Sequence, residues 1–154
     1  MIALVRHADA GKRGGGTDCS RQLSSVGREQ ADNLVEQLAG FSPARILSSP
    51  YLRCRQSVEP LAAARGLPVE DEEALAEGHA AAEVFDLMRA MAPAGAAFCS
   101  HGDEIGLVLD QLVNGGLIEP DEMRFPKGST WLLELDEGRI VSARHVDPEP
   151  EGES

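Results

Sequence analysis

The chain has 154 residues and a formal net charge of −12, which excludes a nucleic-acid polymer or an anionic membrane surface as its main partner, because both would repel it. Hydrophobic residues make up 42% and charged residues 26%, as in a soluble globular domain with one core. Aromatic residues are only 4%, too few to supply stacking platforms for bases.

Ile2–Val5 is predicted to be a short buried strand that ends at Arg6, with no cleavage pattern after it and hence no signal peptide expected. Arg6–Arg21 is rich in Gly, Asp, Ser and Thr and reads as a loop, with Gly14–Gly16 as its flexible tip. Ser24 is the predicted N-cap of a helix whose apolar positions are Val26, Ala31, Leu34, Val35 and Leu38, and Gly40 is its expected end. A second strand, Ala44–Leu47, stops at Ser48-Ser49-Pro50. A helix then runs from Tyr51 to Arg65 with Gly66 as its stop, and Pro60 is expected to kink or split it. Leu67–Glu70 is a short strand, Glu83–Met91 a helix, Ala96–Cys99 a buried strand and Ile105–Val113 a helix. Thr130–Leu135 and Arg139–His145 alternate as an antiparallel hairpin turning at Asp136-Glu137-Gly138. Residues 1–146 thus form one α/β domain with a mostly parallel sheet, and the acidic, Pro-rich tail 147–154 is expected to be disordered.

No apolar run reaches membrane-spanning length, so no membrane partner is expected. The three cysteines are odd in number and contain no Cys-x-x-Cys pair, which points to a reducing, cytoplasmic setting.

In sheets of this kind ligands bind beyond the carboxyl ends of the strands. The first strand delivers Arg6 and His7 there. The second leads into a helix whose first turn carries Arg53, and the strand at 96–99 delivers Ser100, His101 and Gly102. Taken singly, Arg6 has a reading as a surface charge and His7 as a satisfied core histidine. Taken together, two arginines and two histidines suit a phosphoryl group. Guanidinium forks match phosphate oxygens and stabilise their charge in the transition state. A neutral imidazole can attack phosphorus, and a second imidazole, kept protonated by the bound phosphate, can donate a hydrogen bond. Backbone N–H groups at the start of the helix after Gly102 add to the anion site. The spacing leaves His7 and His101 interchangeable as nucleophile. Side chains supply the cations, so no cofactor or metal is expected.

Other chemistries fare worse. A cysteine phosphatase needs an Arg six positions after its Cys, and the positions after Cys19, Cys54 and Cys99 hold Ser25, Pro60 and Ile105. No nucleotide-binding P-loop and no Gly-x-Ser-x-Gly elbow is present. His7-x-Asp9 and His101-x-Asp103 offer metal-ligand pairs, but Arg6 and Arg53 beside a dication would be electrostatically costly. A phosphoryl-binding regulatory module without turnover would use the same four residues.

Five segments resemble the histidine phosphatase superfamily in order and spacing. They are "RHADAG", "DCSRQLSSVGREQA", "ILSSPYLRCRQSVEPLA", "CSHGDEIG" and "PKGSTWLLELDEG", and the similarity runs from Met1 to Val146. Ala8 stands where many members have Gly, so the small residue is kept. The resemblance implies a three-layer α/β/α sandwich, phosphoglycerate-mutase-like, with a mostly parallel central sheet and a C-terminal antiparallel hairpin. It implies His7 as the phosphorylated nucleophile, and Arg6, Arg53 and His101 as the rest of the phosphate pocket. The absence of a large insertion between Gly66 and Ala96 is most similar to the short bacterial phosphohistidine phosphatase branch (SixA type). It also resembles the phosphatase domain fused to Nudix hydrolases in some actinobacterial enzymes, although nothing here matches a Nudix box. The implied partner is a phosphorylated protein or a small phosphorylated metabolite such as a nucleotide or sugar phosphate.

Family members that cleave alcohol esters use a mid-chain Glu as proton donor, and "EALAEGH" places Glu77 in that context. Asp9 and Asp18 on the first loop are its rivals. Arg21 is read as a further phosphate donor or a loop pin, Lys12 and Arg13 as solvated cations able to recruit an acidic substrate tail, and His79 as a surface residue.

Overall fold

Strands β1 (Ile2–Arg6), β2 (Arg45–Ser48), β3 (Val69–Asp71), β4 (Ala96–Ser100), β5 (Thr130–Asp136) and β6 (Arg139–Val146) form one sheet in the order β3-β2-β4-β1-β5-β6. The structure is a computed structural model that describes residues 1–11 and 17–148. Lys12, Arg13, the Gly14–Gly16 tip and tail residues 149–154 lie outside the described residues. The first four strands are mutually parallel where they pair, and β5 and β6 return antiparallel as the predicted hairpin.

Helices α1 (Ser25–Gln37) and α2 (Leu52–Arg65) cover one face of the sheet, and α3 (Ala81–Met91) and α4 (Gly102–Asn114) cover the other. The alternation of side chains decides which residue goes where. Ile2, Leu4, Phe98, Trp131 and Leu133 pack against Val84, Met88, Ile105 and Leu109. Ala3, Val5, Ile46, Ala97 and Leu132 pack against Leu34, Leu38, Val58 and Leu61. Covered on both faces, β1 and β4 read as near-continuous apolar runs, as central parallel strands do. The expected three-layer α/β/α architecture follows.

Two expectations need correction. Pro60 does not split its helix: α2 runs from Leu52 to Arg65, held down by buried Cys54, Val58, Leu61 and Ala62. Tertiary packing outweighs the lost hydrogen bond there. Gly40 is not the end of α1, which stops at Gln37 with Leu38 as its cap. Gly66 does close α2, in a left-handed conformation with φ 67 that a side chain would strain. Asp147, the first residue of the tail, accepts a hydrogen bond from Arg124 at 2.9 Å.

The loop after His7 is gripped by both helices of one face. Ala8 N–H donates to the Ser57 hydroxyl of α2 at 2.8 Å, and Asp9 N–H donates to Gln30 Oε1 of α1 at 2.9 Å. Ser24 caps α1 as predicted, accepting from Gly27 N–H at 3.1 Å. Gly27 lies so close to this loop that a Cβ there would stand 1.9 Å from the Asp9 carbonyl oxygen. Backbone against backbone has no side-chain route of escape. Gly27→Ala is therefore expected to destabilise the fold by about 2 kcal/mol, lowering the melting temperature by roughly 4–8 °C. Gly40→Ala, where a Cβ meets nothing within 4 Å, should stay within about 0.5 kcal/mol of wild type in the same melts.

Candidate active site

Parallel pairing sets Arg6 of β1 opposite Ser100 of β4, so the two chains leave the sheet side by side. His7 and His101 follow immediately, their rings edge to face with centroids 5.6 Å apart. His7 N–H donates to the Ser100 carbonyl at 3.1 Å. Gly128 N–H donates to the carbonyls of both Arg6 and His7, at 3.2 and 3.1 Å. The β1 end is thus pinned from two sides.

His7 is 6% exposed. Its Nδ1 lies 2.8 Å from the Ala8 carbonyl, which can only accept, so Nδ1 carries the proton. That leaves the Nε2 lone pair free. Burial pulls the His7 pKa down to about 4, with Arg53, Arg6 and Lys127 acting in the same direction and the Ala8 bond against it. At neutral pH His7 is therefore an uncharged imidazole with an available nitrogen.

Arg53, in the first turn of α2, is 2% exposed. It donates to the Asp18 carbonyl at 2.9 Å, to Asp18 Oδ2 at 3.3 Å and to Glu77 Oε1 at 3.0 Å. Its Nη2 also lies 3.5 Å from His101 Nδ1, and its guanidinium stacks 5.0 Å over the Tyr51 ring. His101 is the N-cap residue of α4. Its Nε2 sits 2.8 Å from the Ser49 hydroxyl, and its ring packs on Tyr51 at 4.7 Å. Burial and Arg53 hold its pKa down to about 3.

Arg6 donates to the Phe125 carbonyl at 2.9 Å. Its guanidinium lies against Gly102, where a Cβ would stand 2.9 Å from Arg6 Cζ. Glycine lets the first turn of α4 and the guanidinium share that space. The Nε groups of Arg6, Arg21 and Arg53 are buried without a hydrogen-bond partner among the described residues. Buried donors left over in this way favour an anion beside them.

The other sequence candidates divide. Glu77 is 42% exposed at its side chain, yet its Oε1 lies 3.0 Å from Arg53 and 3.3 Å from His101 Nδ1. Asp18 also reaches Arg53, and Arg21 sits 3.8 Å from Asp18. Asp9 turns away: it accepts from the Ser24 hydroxyl at 2.6 Å and pairs with Lys127 at 3.5 Å. The Ser24 bond comes first in holding its carboxyl below the usual range, so Asp9 is a poor store of a proton. His79, just ahead of α3, bonds Glu83 in the first turn of that helix at 3.0 Å. Among the described residues no group of three or more His, Cys, Asp or Glu side chains could hold a metal ion.

Sequence reasoning assigned no role to Ser49, Tyr51 or Lys127. Ser49 and Tyr51 flank Pro50, which read only as a strand stop. A hydroxyl and a phenol adjoining a strand end that already carries Arg53 were the available signal.

A profile of the histidine phosphatase superfamily (branch 1) matches residues 2–83, more than half of the chain. An 8-oxo-(d)GTP phosphatase of Mycolicibacterium smegmatis is 34% identical over 157 residues, which cover 97% of this chain and 49% of that protein. The chain thus spans about half the length of this relative. The fold is shared with the protein histidine phosphatase SixA complexed with tungstate, at a TM-score of 0.80 and 24% identity over 96% of both chains. A mycobacterial glucosyl-3-phosphoglycerate phosphatase has the same fold at a TM-score of 0.66 and 16% identity, covering 94% of this chain and 95% of its own. Arg6, His7, Arg53 and Glu77 all fall inside the matched stretch, and this chain belongs to the histidine phosphatase superfamily, branch 1.

Proposed function

We propose that this chain is a metal-independent phosphatase that works through a phosphohistidine on His7. The observation that carries this reading is a neutral, Nδ1-protonated His7 beside Arg53, Arg6 and His101, with two of those guanidinium groups keeping buried, unpartnered Nε donors. Arg6, Arg53, Arg21, His101 and the α4 N-terminus at Gly102 receive the phosphoryl oxygens in place of the Glu77 carboxylate. His7 Nε2 attacks phosphorus, an N–P bond forms and the P–O bond to the leaving group breaks. Glu77 donates a proton to that oxygen. Water then attacks the phosphohistidine, Glu77 takes one of its protons, and phosphate leaves as His7 is restored.

His101 is neutral before the anion binds, because burial and Arg53 disfavour a second cation. The incoming negative charge reverses that balance, so a proton is taken up with the phosphoryl group.

For the substrate, the reading is a SixA-like phosphohistidine protein phosphatase. Only β3, a short 3-10 turn (Glu73–Leu75) and α3 lie between α2 and β4, and so small an insertion supports a protein substrate. A second reading, a phosphatase of nucleotides or sugar phosphates, is favoured by Glu77. A carboxyl that reaches Arg53 at 3.0 Å supports a proton donor for an alkoxide, which a leaving imidazole needs less. The relative named for 8-oxo-(d)GTP agrees with that second reading.

Turnover of an aryl phosphate should be unchanged by a chelator and fall by roughly 10⁴-fold in His7→Ala. Activity surviving in that variant contradicts the nucleophile assignment. A phosphohistidine peptide assayed beside phosphomonoesters decides the substrate class. The protonation state gives a second expectation. The free His101 pKa is about 3 and anion binding raises it, so binding takes up a proton across the range between. Sulfate affinity, measured by calorimetry, is therefore expected to rise as pH falls from 7 to 5. In His101→Gln that rise should flatten, and an equal rise in both proteins would contradict the coupling.

A further inference from the structure

Glu104 lies in the first turn of α4, and it is a carboxyl that the proposed chemistry does not use. It is 4% exposed, an unusual depth for a glutamate. Its Oε2 accepts from Gly78 N–H at 3.2 Å, across 26 residues of sequence. Its Oε1 is buried with no hydrogen-bond partner among the described residues. Gly78 follows Glu77 directly and turns the chain with φ 89, a conformation a side chain would strain. On the other side of Glu77, the Ser100 hydroxyl donates to the Leu75 carbonyl at 2.6 Å. The exposed Glu77 is thereby carried on a turn fastened at both ends, to β4 through Ser100 and to α4 through Glu104.

We infer that Glu104 is a positioning residue for Glu77. It holds the Gly78 peptide N–H so that the Glu77 carboxyl stays at the Arg53 and His101 side of the pocket. The inference rests on Glu77 being the proton donor proposed above. A flexible exposed glutamate would lose rotamer freedom each time it entered the site, and a clamp on its backbone removes part of that cost before substrate arrives. Burying a carboxyl is itself unfavourable, and the Gly78 bond offsets some of it. Burial pushes the Glu104 carboxyl up, with Asp103 and Glu77 adding to it and the Gly78 N–H drawing it back. The acceptor role survives in either protonation state, because Oε2 takes the bond with or without a proton on its neighbour. What matters is reach, not charge.

Two conservative substitutions separate reach from charge. Glu104→Asp keeps the carboxyl and shortens the arm by one methylene, which takes the acceptor away from Gly78. Glu104→Gln gives up the charge and keeps an oxygen at full reach. Each is assayed on p-nitrophenyl phosphate, whose leaving group needs no proton, and on glycerol phosphate, whose leaving group does, with Glu77→Gln and Glu77→Gln/Glu104→Asp alongside. Glu104→Asp is expected to lower kcat/KM on glycerol phosphate by about 10–100-fold and to leave kcat/KM on p-nitrophenyl phosphate within about 3-fold, because kcat/KM reads the phosphorylation step alone and not the later hydrolysis in which Glu77 is the base. Glu104→Gln should remain within about 3-fold of wild type on both, and the double variant should lose no more than Glu77→Gln alone. Equal losses in kcat/KM on both esters, no loss at all, or a larger loss in Glu104→Gln than in Glu104→Asp overturn the inference. If Glu77→Gln spares glycerol phosphate, Glu77 is not the donor and the inference falls with that assignment. Failure of the nucleophile reading appears separately, as turnover in His7→Ala.

Discussion

The parallel register between β1 and β4 is the constraint on which the site depends. With Arg6 opposite Ser100, the next residue of each chain is a histidine, and both histidines emerge at one level of the sheet. A slip of one residue would turn His7 toward the opposite face and leave Arg6 in the position of the proposed nucleophile. The apolar faces forbid that slip, since Leu4 and Phe98 would have to exchange layers with Val5 and Cys99. The hydrophobic pattern that folds the sheet is also what aligns the two histidines.

Charge is organised around the same edge. A chain of net charge −12 gathers Arg6, Arg53 and Lys127 near one imidazole. Arg53 is almost fully buried, and a buried guanidinium is tolerated only with good partners. Asp18 and Glu77 meet that need, while both histidines give up their protons. In the proposed function one internal carboxylate contact, Glu77 on Arg53, gives way to an external anion. This reconciles a strongly acidic protein with an anionic substrate: repulsion acts over the surface, and attraction acts at short range where dielectric screening is weak.

Much of this was legible from residue order. Strand and helix alternation predicted the layers, and unusual polar residues at three strand ends marked the site before any geometry was available. Gly102 was legible as a residue just ahead of a helix, though not as the residue that makes room for the Arg6 guanidinium. Local signals misjudged Pro60, because helix propensity carries no knowledge of Val58 and Leu61 packed beneath it. Asp9 and Asp18 looked equivalent on one loop. Only the fold separates them, by turning Asp9 to Ser24 and Asp18 to Arg53. Glu104 was hidden for the same reason, since its partner Gly78 is distant in sequence.

The central claim is a covalent step at one nitrogen of one histidine. The direct measurement is rapid alkaline quench during turnover, followed by tandem mass spectrometry and phosphorus NMR of the trapped protein. The account predicts a phosphoryl group on His7, attached at Nε2, because the Ala8 carbonyl occupies Nδ1. Phosphate on His101, attachment at Nδ1, or turnover with no phosphorylated histidine at all would contradict it.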